Sequence, residues 1–276
     1  MSISISPCIW YLDSAIQAFQ LYTTCVPNSK LINSSNIVVQ AKIAGVDVMG
    51  INGGSHFSPN ASVSYMLVLE KQAEVDEIWD LLQVEGKILM PLSSYPWSAY
   101  YGWVEDKYGV HWQLYLGQLS DVNHQALVPT LMFSGSNRGN CKNAISFYQA
   151  VFSEFKLQGI LHYSQENLSD YVQHAQFVIN GFTIMVMDSE NDIDAPFTEG
   201  NSFVIQCDTQ DEIDFYWNEL TKNGVESQCG WCKDPFGVSW QIIPRNMNEL
   251  IRTETAVAAM MQMKKIDIAK LQNAGV

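Results

Sequence analysis

"GWVEDKYGVHWQLY" spans residues 102–115, and "GWCKDPFGVSWQII" spans 230–243. Gly102, Trp103, Asp106, Gly109, Val110, Trp112 and Gln113 in the first stretch recur as Gly230, Trp231, Asp234, Gly237, Val238, Trp240 and Gln241 in the second. The spacing predicts a hairpin in each. The aspartate and the second glycine stand at the first and fourth places of a tight turn, where a carboxylate accepts local amide hydrogens and glycine tolerates positive φ. Alternation after the turn puts Gln113 with His111 on one face of a strand and Trp112 on the other; Gln241 and Ser239 likewise oppose Trp240.

Working outward, the two halves of the 276-residue chain restate one another. "PCIWYLDSAIQAFQLY" (7–22) answers to "PTLMFSGSNRGNCKNAISFYQAVF" (129–152), and "VVQAKIAGVDVMGIN" (38–52) to "HAQFVINGFTIMVMD" (174–188). "SYMLVLEKQAEVDEIWDLL" (64–82) answers to "SFVIQCDTQDEIDFYWNEL" (202–220), aligning Trp79 with Trp217. Each half predicts a strand from Pro7 or Pro129, then an amphipathic helix bearing Ala15, Ile16, Phe19 and Tyr22, or Ala144, Ile145, Tyr148 and Phe152. Asp13 and Asn140 are the expected N-caps. β-rich runs at 36–52 and 172–188 turn at Gly45 and Gly181, and a further strand leads to a second helix before the closing hairpin. The first half carries an additional aromatic segment there, "PLSSYPWSAYY" (91–101), expected to be a loop that forms a lid, a stacking wall or an interface patch. Beyond Met247, apolar residues at helical spacing (Ile251, Val257, Met260, Met261, Ile266, Ile268, Leu271) predict a helical tail that clasps the domains or contacts a second copy. The expected division is 1–122, 123–247 and a tail at 248–276.

Composition narrows the function classes. Fifteen basic against 29 acidic residues leave a net charge of -14, which repels phosphate backbones and argues against a nucleic-acid partner. No apolar run reaches the ~18 residues a membrane span requires. No Lys or Arg precedes Lys30, so a charged signal-peptide start is absent and a cytoplasmic protein is expected. Six cysteines lie mostly in apolar stretches, as reduced thiols do. Cys229 and Cys232 have the spacing of a redox or zinc motif, but they precede a turn rather than open a helix, and no second such pair completes a zinc site.

A strand, a helix and three strands, repeated and closed by the Asp-Gly-Trp-Gln hairpin, resemble the glyoxalase, bleomycin-resistance and extradiol-dioxygenase superfamily, the vicinal oxygen chelate fold. The stretches "CGWCKDPFGVSWQIIP", "AMMQMKKIDIAKLQNA" and "YYGWVEDKYGVHWQ" resemble more closely its PhnB-like branch, often named for 3-demethylubiquinone-9 3-methyltransferase. The resemblance covers essentially the whole chain. It implies an α+β fold of two tandem glyoxalase/bleomycin-resistance-type domains, each of two βαβββ modules in curled mixed sheets, with the two domains pairing inside one chain.

The resemblance also implies ligand positions for a metal on the first and last strands of each module. Here those places hold Gln113 and Gln241, Cys8 or Trp10, Thr130 or Met132, Ser64, Ser202, Gly50 or Asn52, and Val186 or Asp188. No cluster of three good donors results, so no metal is expected. A nucleoside-cofactor methyltransferase needs a glycine-rich strand-to-helix turn, and Gly53-Gly54, the adjacent glycine pair, is followed by loop sequence; no S-adenosylmethionine or other cofactor is expected. The expected pocket residues are Gln113, Gln241, His111, His174, Gln176, Trp103, Trp231, Trp97 and Tyr101, with His111 and Asp188 the candidate proton-transfer groups. The expected function is binding of a small molecule, against the alternatives of a lyase, isomerase or dioxygenase and of a scaffold filled by its own side chains; a homodimer is compatible with either.

Overall fold

The computed structural model describes residues 3–191 and 193–275. The first half runs β1 (Ser4–Tyr11), α1 (Ala15–Cys25), β2 (Lys30–Ser34), β3 (Val38–Ile43), β4 (Val46–Asn52), β5 (Val63–Leu69), α2 (Gln72–Leu82), β6 (Lys87–Tyr95), β7 (Ser98–Glu105) and β8 (His111–Leu116). The second repeats it as β9 (Leu127–Phe133), α3 (Cys141–Val151), β10 (Phe155–His162), β11 (Val172–Ile179), β12 (Phe182–Asp188), β13 (Asn201–Cys207), α4 (Gln210–Thr221), β14 (Val225–Glu226), β15 (Trp231–Lys233) and β16 (Ser239–Pro244). The tail forms α5 (Met247–Leu250), α6 (Glu254–Met261) and α7 (Ile268–Ala274).

The sixteen strands form two mixed eight-stranded sheets, and each sheet takes one module from each half. Sheet A runs β14-β15-β16-β13-β1-β4-β3-β2; sheet B runs β10-β11-β12-β9-β5-β8-β7-β6. Antiparallel pairs at the two centres, β1 with β13 and β5 with β9, join the modules of opposite halves. Helices α1 and α4 pack on sheet A, α2 and α3 on sheet B, and α1 meets α2 as α3 meets α4. One core cluster fills the space around α1 to α4, with Trp112, Trp240, Phe19 and Tyr148 fully buried in it, and a smaller one forms under the tail around Met247, Leu250, Ile266 and Leu271. The opposite, curled face of each sheet is left for a cleft.

Type I′ turns close two hairpins: Ala44 and Gly45 have φ of 49° and 82°, Asn180 and Gly181 φ of 48° and 77°, the twist that matches the strands they join. The repeated Asp-Gly hairpin is a scaffold. Asp106 accepts the amides of Tyr108 (2.8 Å) and Val110 (3.0 Å), the Trp112 indole (2.9 Å) and the Tyr22 hydroxyl (2.7 Å). Asp234 accepts from Phe236, Val238, Trp240 and Tyr148 at 2.9, 3.0, 3.1 and 2.7 Å. Because Tyr22 lies on α1 over sheet A and Asp106 between β7 and β8 of sheet B, each carboxylate pins one sheet to the other. Burial pushes both carboxyls up, Asp234 to about 6.

The structure corrects several local expectations. Ser14, not Asp13, is the N-cap of α1, and neither it nor Asn140 caps through its side chain. The caps come from neighbouring strand ends: Asn52 Oδ1 accepts from the Ala15 amide at 2.9 Å, and Asp188 Oδ1 from those of Gly139 (2.7 Å) and Cys141 (3.3 Å). The segment 91–101 is not a loop but a bulged ribbon of β6 and β7 turning at Pro96-Trp97. The tail closes on the β13–β16 module: Cys229 and Gly230 donate backbone hydrogen bonds to Met263 and Lys264 at 2.7 Å each, and Ile266 and Leu271 are fully buried. Val257 and Met261 are exposed, so the expected apolar face covers the module only in part. All six cysteines are free; burial pushes the Cys232 thiol up to about 12, and Cys229 Sγ lies 3.6 Å from Met261 Sδ.

Candidate ligand cavity

Strand alternation brings one set of side chains onto the curled face of sheet B. The pairings Met66 with Gln113, Val68 with Tyr115, Trp103 with Gln113 and Met185 with Thr130 define that face. It encloses a cavity of about 500 Å³. Met66, Met90, Met132, Met185 and Met187 supply most of its apolar wall, and Trp97, Tyr101, Trp103, Tyr115 and Tyr163 its rings. Flexible, polarisable methionine allows such a wall to conform to its contents.

The cavity's polar groups are largely satisfied by one another. Tyr101 donates to Gln113 Oε1 at 2.7 Å, and Gln113 Nε2 donates to Ser64 Oγ at 2.5 Å. The amide therefore has a partner at each end, supplied by the strands on either side of its own. Gln176 donates to the Asp121 carbonyl and to Gln158 Oε1, at 2.8 Å each. His174, on the same strand face, lines the cavity half-buried, and its imidazole makes no hydrogen bond among the described residues; burial lowers its pKa, favouring the neutral imidazole.

The structure separates the other sequence-predicted site residues. His111 shares the strand face of Gln113 but does not line the cavity: it is buried, 6.1 Å from the Trp103 ring, with Nδ1 unpartnered. Burial, with Lys87 adding repulsion, lowers its pKa to about 4. Asp188 is fully buried and bonded to three backbone amides, the third being Val172 at 2.9 Å, so its oxygens are turned to the helix and strand they hold. Trp97 stands 50% exposed over the cavity, 4.5 Å edge-on from Tyr101 and stacked on Tyr95 at 5.6 Å. Trp103 lines the cavity with its indole nitrogen buried and unpartnered.

Gln241 and Trp231 lie on sheet A, apart from these groups. Gln241 Nε2 donates to Ser202 Oγ at 2.9 Å, repeating the Gln113–Ser64 pair. In this cleft Trp10 fills the centre, edge-on to Trp231 at 6.0 Å and to Phe57 at 5.2 Å, and its indole donates to the Gly54 carbonyl at 2.8 Å. The Trp10 ring lies 2.0 Å from where a Cβ on Gly53 would be, so any side chain there would have to displace the ring. The sequence reading missed the methionines and Tyr163. Met185 and Met187, two residues apart on β12, are the signal that could have marked the wall.

A metal or methyl-donor cofactor can be tested against these residues. Both ends of the Gln113 amide are engaged, Thr130 Oγ1 points to Met185 Sδ at 3.9 Å, and Asp188 faces backbone amides. Among the described residues no group of three or more His, Cys, Asp or Glu is placed to hold an ion. Gln113 and Thr130 are neutral donors, Gln113 and Asp188 are already hydrogen-bonded, and together they do not fit a divalent cation. Gly53 and Gly54 wrap the Trp10 ring instead of opening a helix, so they do not fit a nucleoside cofactor either.

Paired modules, a central helix layer and a cleft on each outer face make up a glyoxalase-like fold. Glyoxalase I from Zea mays is similar in fold, with a TM-score of 0.57 at 11% identity over 90% of this chain and 95% of that one. A mutant of the same enzyme gives a TM-score of 0.60 at 11% identity over the same shares. The model of the 3-demethylubiquinone-9 3-methyltransferase family matches residues 3–115 and again 125–243, and the chain belongs to that family. The PhnB protein from Bacillus cereus is 30% identical over 41% of this chain and 98% of its own, with a TM-score of 0.39. No curated protein matches the chain. Among the described residues no helix is long and apolar enough to cross a membrane.

Proposed function

We propose that the chain binds a small, largely apolar molecule in the sheet B cavity and holds it without a metal ion or cofactor. One observation carries this reading: an aromatic and methionine-lined space of about 500 Å³ whose polar floor, from Tyr101 through Gln113 to Ser64, is internally hydrogen-bonded. Pockets of that size and chemistry suit ligands that gain affinity from buried apolar area. Six unpaired cysteines support a reducing, cytoplasmic setting. The two repeats already supply each other's partner module, so a second copy is not needed to complete a cleft.

The test copies the filled cleft into the open one. Trp10 corresponds to Met132 and Gly53 to Ser189, so Met132→Trp with Ser189→Gly should fill the cavity with a ring of its own. A ligand found by thermal-shift screening should raise the wild-type melting temperature and leave the folded variant's unchanged. Equal stabilisation of both would locate binding elsewhere. The second reading, an enzyme of the superfamily's lyase, isomerase or dioxygenase type, is favoured by His174, a cavity imidazole whose pKa burial lowers and which has no hydrogen-bond partner among the described residues. Turnover that disappears in His174→Gln while ligand binding persists would replace binding by catalysis.

A further inference from the structure

We infer, building on the cavity reading above, that the ligand is a flat aromatic cation. Among the described residues no Lys or Arg lines the cavity, whereas two carboxylates, Asp121 and Glu190, do. Neither takes part in an ion pair among the described residues. Their polar contacts are weak and neutral: Gln165 Nε2 donates to Glu190 Oε1 at 3.2 Å, and Ser120 Oγ to Asp121 Oδ1 at 3.4 Å. Arg138 stands beside the cavity mouth, but its hydrogen bonds go to the backbone carbonyls of Ser189 (2.8 Å) and Glu190 (2.5 Å), with its guanidinium over the Tyr171 ring at 5.0 Å, and to neither carboxylate. The mouth of the cavity thus carries two exposed carboxylates without an ion pair among the described residues.

The walls point to the same ligand. Trp97, Tyr101 and Trp103 offer ring faces and edges on one side and methionine thioethers line the other, a setting that holds a planar ring by stacking and attracts positive charge through the ring quadrupoles. An anionic ligand would meet two carboxylates and no cationic side chain, against a chain charge of -14. A protonated amine on an aromatic ring system satisfies both halves of the site, its rings inside and its charge toward Asp121 and Glu190.

Three probes with one ring skeleton separate charge from shape: 9-aminoacridine (cation), acridine (neutral) and acridine-9-carboxylate (anion), titrated into the full chain by fluorescence at two ionic strengths. The cation is expected to bind at least about tenfold more tightly than the anion. Asp121→Asn with Glu190→Gln should weaken the cation about threefold to tenfold and leave neutral acridine unchanged. If the preference survives the double variant it belongs to the chain's overall charge, and the inference fails. Equal or tighter binding of the carboxylate overturns it as well. If none of the probes binds while a screened ligand is still blocked by Met132→Trp with Ser189→Gly, the cation assignment fails and the cavity stands. If the screened ligand is not blocked either, both fail.

Discussion

The two clefts are built from matching strands, yet one encloses about 500 Å³ and the other holds Trp10. Their frames agree: Asp106 and Asp234 accept corresponding sets of four hydrogen bonds, and Gln113 and Gln241 each donate to a serine of the neighbouring parallel strand. They diverge at the centre, where Trp10 and Gly53 on sheet A replace Met132 and Ser189 on sheet B. They diverge again at the wall, where β14 and β15 are short and β6 and β7 form a long aromatic ribbon. Trp231 has Trp10 to pack against, whereas Trp103, its counterpart, faces open space. Occupancy of a cleft is thus set by a few side chains and one hairpin length, on a frame that does not change.

The largest effect should come from breaking the shared frame. Asp106→Ala and Asp234→Ala each strand two backbone amides, an indole and a tyrosine hydroxyl, and each should cost about 4 kcal/mol or more in urea unfolding. Similar costs are expected because the nodes match; a cheap loss at one alone would show that the frames are not equivalent. Next is the filled centre. Trp10→Ala should cost about 3 kcal/mol, the low end for a tryptophan because the ring is only half-buried, and Gly53→Ala about 1–2 kcal/mol through its clash with that ring. Trp10→Ala should also admit a second apolar probe molecule per chain, countable by equilibrium dialysis.

The pH dependence follows from burial. Because the Asp234 carboxyl is raised to about 6 from its ordinary 3.8, the folded state keeps its proton where the unfolded chain has lost it. Its contribution is therefore fully present below about 4 and lost as pH rises through about 6, on the order of 3 kcal/mol. His111 acts in the opposite sense: with its pKa lowered to about 4, stability falls as pH drops from 6.5 toward that value. Subtracting the pH–stability curve of Asp234→Asn isolates the aspartate, and a difference that grows with pH instead would mean the carboxylate is held ionised. The smallest stability effect is expected at Trp97→Ala, within about 0.5 kcal/mol because the ring is half exposed. The same change should weaken a ring-shaped ligand of the open cleft about tenfold by isothermal titration.

Legibility in the sequence followed burial. Helices with a core face and strands with one buried side were predictable in both halves, as were the turns at Gly45 and Gly181, because apolar periodicity and positive φ leave marks. Edge strands β2 and β10 left none: they face solvent over most of their length, so no alternation betrays them. The exchange of modules between sheets was invisible for another reason, since β1 pairs equally well in principle with any compatible strand and the sequence does not name its partner. Of the residues named from the sequence, Gln113, Tyr101, Trp97, Trp103, His174 and Gln176 line the sheet B cavity. Asp188 was legible as a strand-end carboxylate and candidate proton-transfer group, but its partners were not, because the amides of Gly139, Cys141 and Val172 are backbone groups that no residue letter reveals.

The interleaving of the halves has one more consequence. In a pair of identical subunits every substitution is copied into both binding hollows, and a bulky ring that blocks one blocks the other. A covalently duplicated chain is released from that symmetry: one hollow can be plugged and kept for rigidity while its twin stays available to a guest. Either repeat on its own would lack half of both sheets, with β1 and β5, or β9 and β13, stripped of their central partners.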